Sequence, residues 1–224
     1  MEFQVTKQFI LISLNPSNGR ISAKKTHFRY SLSGAILMDL FLNRELSYAD
    51  KRISSFLKKN GDSVHDTIAE IMAGSSGPKR VSYWISLLTR KRRVIFGEII
   101  KTLSDIGLIQ HEKKYFLNII PINRYYVTDN GARTKIIEEL RSILLFGKVS
   151  NDQQNMLIGL IKASESYRIL VREPGDKRII RRKCKEFMKT NPLATEVDKV
   201  LQEIQAAIIT SIMLSVAAAT ASHH

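Results

Sequence analysis

The residues of this sequence best equipped for chemistry are cations. In "TRKRRVIFGEIIKTLSDIGLIQHEKKYFLNII", residues 89–120, Arg90, Lys91, Arg92 and Arg93 stand side by side ahead of an amphipathic stretch. A second basic pair, Lys113 and Lys114, runs straight into Tyr115, Phe116 and Leu117, with Ile119 and Ile120 close behind. Such groups suit a polyanion. DNA fits a helix followed by a wing, and an anionic membrane fits a cation cluster beside an insertable apolar tip. The four consecutive cations are expected at or just before a helix N-terminus, where the dipole disfavours positive charge. They make sense there if a phosphate joins them, because that end also offers free backbone N–H groups. The plainer alternatives are a solvated charge run and hairpin aromatics buried in the core.

Other chemistry finds little footing. His27, His65 and His111 have no Cys or His at metal-ligand spacing. No glycine-rich phosphate loop and no Gly-x-Ser-x-Gly elbow is present. Asp39 lies in the most apolar helix, where an unpaired carboxylate is costly, so it is expected to bond a helix terminus or a cation. Cys184 is flanked by Arg181, Arg182, Lys183 and Lys185, which favour a thiolate, yet it has no partner His. Neither an enzyme nor a cofactor is expected.

The elements that must position the cations read mostly as helices. "FILISLNPSNGRI" is a short helix stopped by an Asn-Pro/Asn-Gly breaker. "SLSGAILMDLFLNREL" is apolar on most faces, which predicts a central buried helix. Asp62 is placed to cap "VHDTIAEIMAG". Phe96, Ile99, Ile100 and Leu103 form one helical stripe that Gly107 terminates. Two short β runs follow, with a turn near Glu112 to Lys114 and a stop at Pro121. Helices resume through "RTKIIEELRSILLFG", "NDQQNMLIGLIKASE", "GDKRIIRRKCKEFMK" and "ATEVDKVLQEIQAAIITSIML". The fold class is mainly α, a compact helical domain around a central helix bundle with one protruding β-hairpin. The expected unit is a single domain over 1–222, with His223 and His224 a tag remnant.

Composition agrees with a polyanionic partner. The 224 residues carry 35 Lys+Arg against 21 Asp+Glu, a formal +14. That excess attracts nucleic acid or acidic lipid over long range, besides keeping the chain soluble. A lone Cys184 suits a reducing compartment, and the N-terminus lacks a signal-peptide pattern. Ala206 to Ser222 is uncharged for 17 residues but rich in Ala, Ser and Thr. A spanning helix wants roughly 20 strongly apolar residues, so a core helix is expected instead.

The order and spacing of "FILISLNPSNGRI", "SLSGAILMDLFLNREL", "YWISLLTR", "IIKTLSDIGLIQHEKKYFL" and "NMLIGLIKASESYRILV" resemble the Golgi phosphoprotein 3 family over Phe9 to Val216. The resemblance implies a helical domain with a protruding hairpin. It also implies a cytosolic peripheral membrane protein that binds phosphatidylinositol 4-phosphate, on the Golgi cytosolic face if eukaryotic. Family adaptors hold glycosyltransferases as clients and form homo-oligomers through the hairpin. An ungapped match from Gly19 to Gly34 sets Lys24 at the family's pocket Trp and Ser33 at its pocket Arg. Matching back from Gly107 sets Arg93 and Phe96 at the two basic positions of the helix ahead of the hairpin. These departures imply a divergent or bacterial member with altered head-group choice. If the family packing holds, Lys24, Lys25 and Arg29 form the wall opposite Arg90, Arg92 and Arg93. The hairpin residues Lys113, Lys114, Tyr115, Phe116 and Leu117 would then serve membrane insertion or oligomerisation.

The competing reading is a winged-helix DNA binder. Against it, the face opposite the apolar stripe carries Glu98, Thr102 and Asp105, which are poor partners for a negatively charged groove. Nucleic acid is therefore not the expected partner.

Overall fold

The computed structural model describes residues 3–117, 119–190 and 196–221, without the side chains of Phe116, Thr190 and 196–198. The expectations for the side chain of Phe116 and for His223 and His224 lie outside these described residues. The fold is mainly α, with 13% of the chain in small antiparallel strands.

Apolar patterning explains the layout. The helix α1 (Gln4–Ser13) buries Phe9, Ile10 and Ile12 and packs on α2 (Lys25–Leu42), which is buried along most of its length, as expected of a central element. The packing of α2 also takes in α4 (Val81–Asp105), α6 (Asp152–Ala163) and α8 (Glu196–Ala221). Gly34 permits the close approach of α8, since a Cβ there would sit 2.5 Å from Ile208 Cδ1. A contiguous apolar cluster runs from Phe3 to Ile212. Asp39, inside α2, accepts hydrogen bonds from the N–H groups of Val5 at 2.9 Å and Thr6 at 2.8 Å. It thus holds the N-terminus of α1, one of the two roles expected for it.

Local stop and start signals act as read. Asp62 accepts from His65 N–H and caps α3 (Ser63–Ala73). Gly107, at φ 73°, closes α4 with bonds from Gly107 N–H to Ser104 O and from Leu108 N–H to Leu103 O, the paired pattern of a left-handed helix stop. Two further α-helices are α5 (Asn130–Phe146) and α7 (Asp176–Thr190), and a 3-10 turn at Tyr167–Leu170 precedes α7.

Four expectations need correction. First, no loop separates "YWISLLTR" from the amphipathic stretch, because α4 is one helix of 25 residues. Arg90 to Arg93 are its tenth to thirteenth residues, so no free N–H groups lie beside them and the dipole argument falls away. Second, the hairpin strands β4 (Ile109–Phe116) and β5 (Ile120–Val127) are eight residues each. Lys113 pairs with Asn123 and Tyr115 with Pro121, which moves the reversal of the chain beyond the Phe116–Ile120 pair and sets Pro121 inside a strand. A two-stranded ribbon tolerates this proline, since each strand is an edge. Third, α8 is buried only as far as Ile212; Met213, Leu214 and Val216 are exposed. Fourth, a small sheet of β1 (Leu46–Ala49), β2 (Arg52–Ser55) and β3 (Lys79–Arg80) went unread. Its tight turn uses Asp50 and Lys51, both at positive φ, without the glycine that advertises such turns.

Candidate functional site

Two helices build the cationic site. Ser33 of α2 and Thr89 of α4 place their hydroxyl oxygens 2.8 Å apart in a buried seam. Phe28 and Phe96 meet edge-to-face further along it, with centroids 5.9 Å apart. The order of these contacts makes α2 and α4 antiparallel. One turn from the hydroxyl pair, Arg29 on α2 therefore lies on the same side as Arg92 and Arg93 on α4, near enough for their charges to act on it. Burial lowers the affinity of Arg29 for its proton, and the charges of Arg92 and Arg93 lower it further. Arg92 donates to Thr89 O at 3.1 Å. Among the described residues no carboxylate lies within 4 Å of Arg29, Arg92 or Arg93. Three guanidinium groups grouped on neighbouring turns of two helices repel one another, and a guanidinium's planar fork matches a phosphate.

The remaining expected site residues divide. Lys25 is exposed one turn before Arg29 on α2. Arg90 and Lys91 are exposed on other sides of α4, away from the seam. Ser33 is buried and also donates to Arg29 O, so its hydroxyl is occupied beneath the arginines. Lys24 does not join this group. It lines a different cavity among α6, α7 and α8, which none of Arg29, Arg92 and Arg93 lines. Sequence reasoning had no signal for the Ser33–Thr89 pair, whose members are 56 residues apart.

An aromatic ladder ties the arginines to the hairpin. Phe9 stacks on Phe28, Phe28 meets Phe96, Phe96 meets Tyr125 of β5, and Tyr125 stacks on His111 of β4. Phe96, at the family's second basic position, thus fills that place with a ring that carries the hairpin base. The loop after α1 grips the same base. Tyr125 N–H donates to Gly19 O at 2.9 Å, and Gly19 at φ 63° brings its Cα so close that a Cβ would sit 3.0 Å from Tyr125 N. At the far end Leu117 is 74% and Ile119 79% exposed, with Tyr115 and Ile120 also open to solvent. Leu117 has φ 51°, a left-handed conformation that a branched side chain seldom adopts. Lys114 is engaged, bonding Tyr126 Oη at 3.1 Å and pairing with Glu112 at 3.3 Å, while Lys113 is exposed.

Two titratable groups elsewhere lie inside the packing. Cys184 is fully buried, and burial pushes its thiol up to about 12, opposite to what its basic sequence neighbours favour. His65 bonds Glu45 at 2.7 Å. No cluster of three metal-ligating side chains occurs among the described residues. On α4, Glu98 accepts from Ser63 of α3, so part of a would-be DNA-reading face is covered.

These features define a mainly helical protein with an arginine cluster, unpaired with any carboxylate among the described residues, near the base of an apolar-tipped hairpin. A model of the Golgi phosphoprotein 3 (GPP34) family matches residues 5–204, and the chain belongs to that family. A comparison with curated proteins returned no match.

Proposed function

We propose that this chain is a peripheral membrane protein that binds anionic phospholipid head groups through Arg29, Arg92 and Arg93, with Lys25 alongside. The observation that carries the reading is the grouping of Arg29, Arg92 and Arg93 on facing turns of α2 and α4, with no carboxylate within 4 Å among the described residues, next to a hairpin whose apolar tip faces solvent. Each cation near an anionic leaflet contributes about 1 kcal/mol, so this cluster alone supports reversible binding. The tip residues Leu117 and Ile119 add apolar area that a bilayer buries and water does not. Family membership favours a phosphoinositide such as phosphatidylinositol 4-phosphate. With Ser33 buried, Phe96 in the aromatic ladder and Lys24 elsewhere, selection among acidic lipids is broad. Family membership also favours an adaptor role at the cytosolic face of a membrane, the Golgi in a eukaryote. Membrane-protein clients and a homo-oligomer through the hairpin belong to the same proposal.

Flotation with phosphatidylcholine vesicles carrying phosphatidylinositol 4-phosphate, phosphatidylinositol, phosphatidylserine or phosphatidate tests this, with a DNA gel shift alongside. The expected result is flotation on every acidic composition and none on phosphatidylcholine alone. A DNA shift at low salt with no flotation would overturn it.

A further inference from the structure

The cavity that takes Lys24 has a chemistry of its own. Both α7 and α8 pack on α6 but scarcely touch each other, and the gap between them holds about 590 Å³. One side of it is cationic: Lys24, Lys162, Arg181 and Lys185 line it, with Glu165 the one carboxylate among the described lining residues. Glu165 sits 3.7 Å from Arg181, leaving three cations unmatched by it. Lys162 is half-buried, and its ammonium has no hydrogen bond or ion pair among the described residues. Burial lowers its pKa, and Lys185 and Lys189 add to that. The other side is apolar: Ile212, Met213 and Val216 of α8. This is where α8 leaves the core, and Met213 is 66% and Val216 53% exposed. A cation half-buried without an anion carries part of the cost of desolvation, and aliphatic surface left in water is costly too.

We propose that this cavity binds one anionic amphiphile, with its phosphate or carboxylate against Lys162, Arg181 and Lys185 and its aliphatic chain along the exposed end of α8. A cationic wall alone would suit any anion, and an apolar wall alone any grease. Facing each other across one gap, they select a molecule that carries both. The inference goes beyond the head-group site on α2 and α4 and does not rest on it. It also gives the outer end of α8 a partner, which core packing alone does not.

The test uses the full chain and monomeric probes without vesicles. Dansylaminoundecanoic acid is titrated in, then displaced with dihexanoyl phosphatidate, dihexanoyl phosphatidylcholine or glycerol 3-phosphate. Saturable fluorescence gain is expected, with displacement by the phosphatidate and not by the zwitterion or the chainless phosphate. Lys185→Glu and Val216→Asp, both at exposed positions, are each expected to weaken uptake roughly tenfold. Lys148→Glu, an equal charge change in a loop after α5, should leave it intact. Absence of saturable uptake, equal displacement by phosphatidylcholine, or the same loss in Lys148→Glu would overturn the site. Flotation on phosphatidate vesicles then separates the two sources of the ligand. A loss in Lys185→Glu marks a bilayer lipid, and retained flotation marks a soluble amphiphile.

Discussion

Ser33 Oγ lies 2.8 Å from Thr89 Oγ1 in the buried seam between α2 and α4, and this pair marks where the arginines are grouped. Arg29 is one turn from Ser33, and Arg92 and Arg93 are one turn from Thr89. Thr89→Val keeps the shape and removes one hydroxyl, which is expected to lower stability by about 1 kcal/mol. Urea midpoints measure this. An unchanged midpoint would mean that the seam is held by packing alone.

The arginine cluster is a liability for folding. Removing one guanidinium should therefore help the ligand-free protein. Arg29→Gln is expected to raise stability by about 0.5 kcal/mol at low salt, with the gain fading as salt screens the repulsion. Adding an inositol phosphate should raise the melting temperature of the parent protein and not that of Arg29→Gln, because a ligand stabilises only the state that binds it. A variant less stable than the parent at every salt concentration would show the arginine to be a structural member.

Leu117 combines a left-handed φ of 51° with a side chain open to solvent. Left-handed backbone costs an ordinary residue roughly 1–2 kcal/mol, a cost that Asn or Gly largely avoids. Leu117→Asn should thus raise stability by about 1 kcal/mol while weakening vesicle flotation. A rise in stability with unaltered flotation would remove the tip from membrane contact.

Asp39 supplies a pH dependence. Burial pushes its carboxyl up to about 6 from 3.8, against the pull of the Thr6 and Val5 donors. In the folded protein the proton is therefore held over a range where the unfolded chain has released it. The stabilisation is complete below the unfolded value and is lost as pH rises through the folded one. Relative to Asp39→Asn, the parent protein should lose stability between pH 3.8 and about 6, at a slope approaching 1.4 kcal/mol per pH unit. Parallel curves for the two proteins would contradict the buried carboxylate.

The sequence and the structure agree wherever a signal is local. Asp62 caps α3, Gly107 stops α4, and the stripe from Phe96 to Leu103 packs as its spacing requires. Family blocks led to the right fold because they carry the apolar order of whole helices. Where the reading failed, the deciding contact lies far away along the chain. Four cations in a row read as a helix start, yet nothing in Thr89 to Val94 breaks a helix, and α4 runs through them. Lys24 matched a pocket position by register, but its surroundings come from α6, α7 and α8. Only the fold reveals that neighbourhood. The uncharged end of α8 read as core because composition cannot tell a buried apolar face from one left open.

The central claim is that Arg29, Arg92 and Arg93 act as one anion site. Flotation of Arg93→Glu on vesicles containing phosphatidylinositol 4-phosphate, compared with the charge-matched Lys148→Glu, tests it most directly. Binding roughly tenfold weaker in Arg93→Glu, with Lys148→Glu near the parent protein, is the predicted result. Equal losses in the two variants would contradict it, since overall charge and not this cluster would then be holding the membrane.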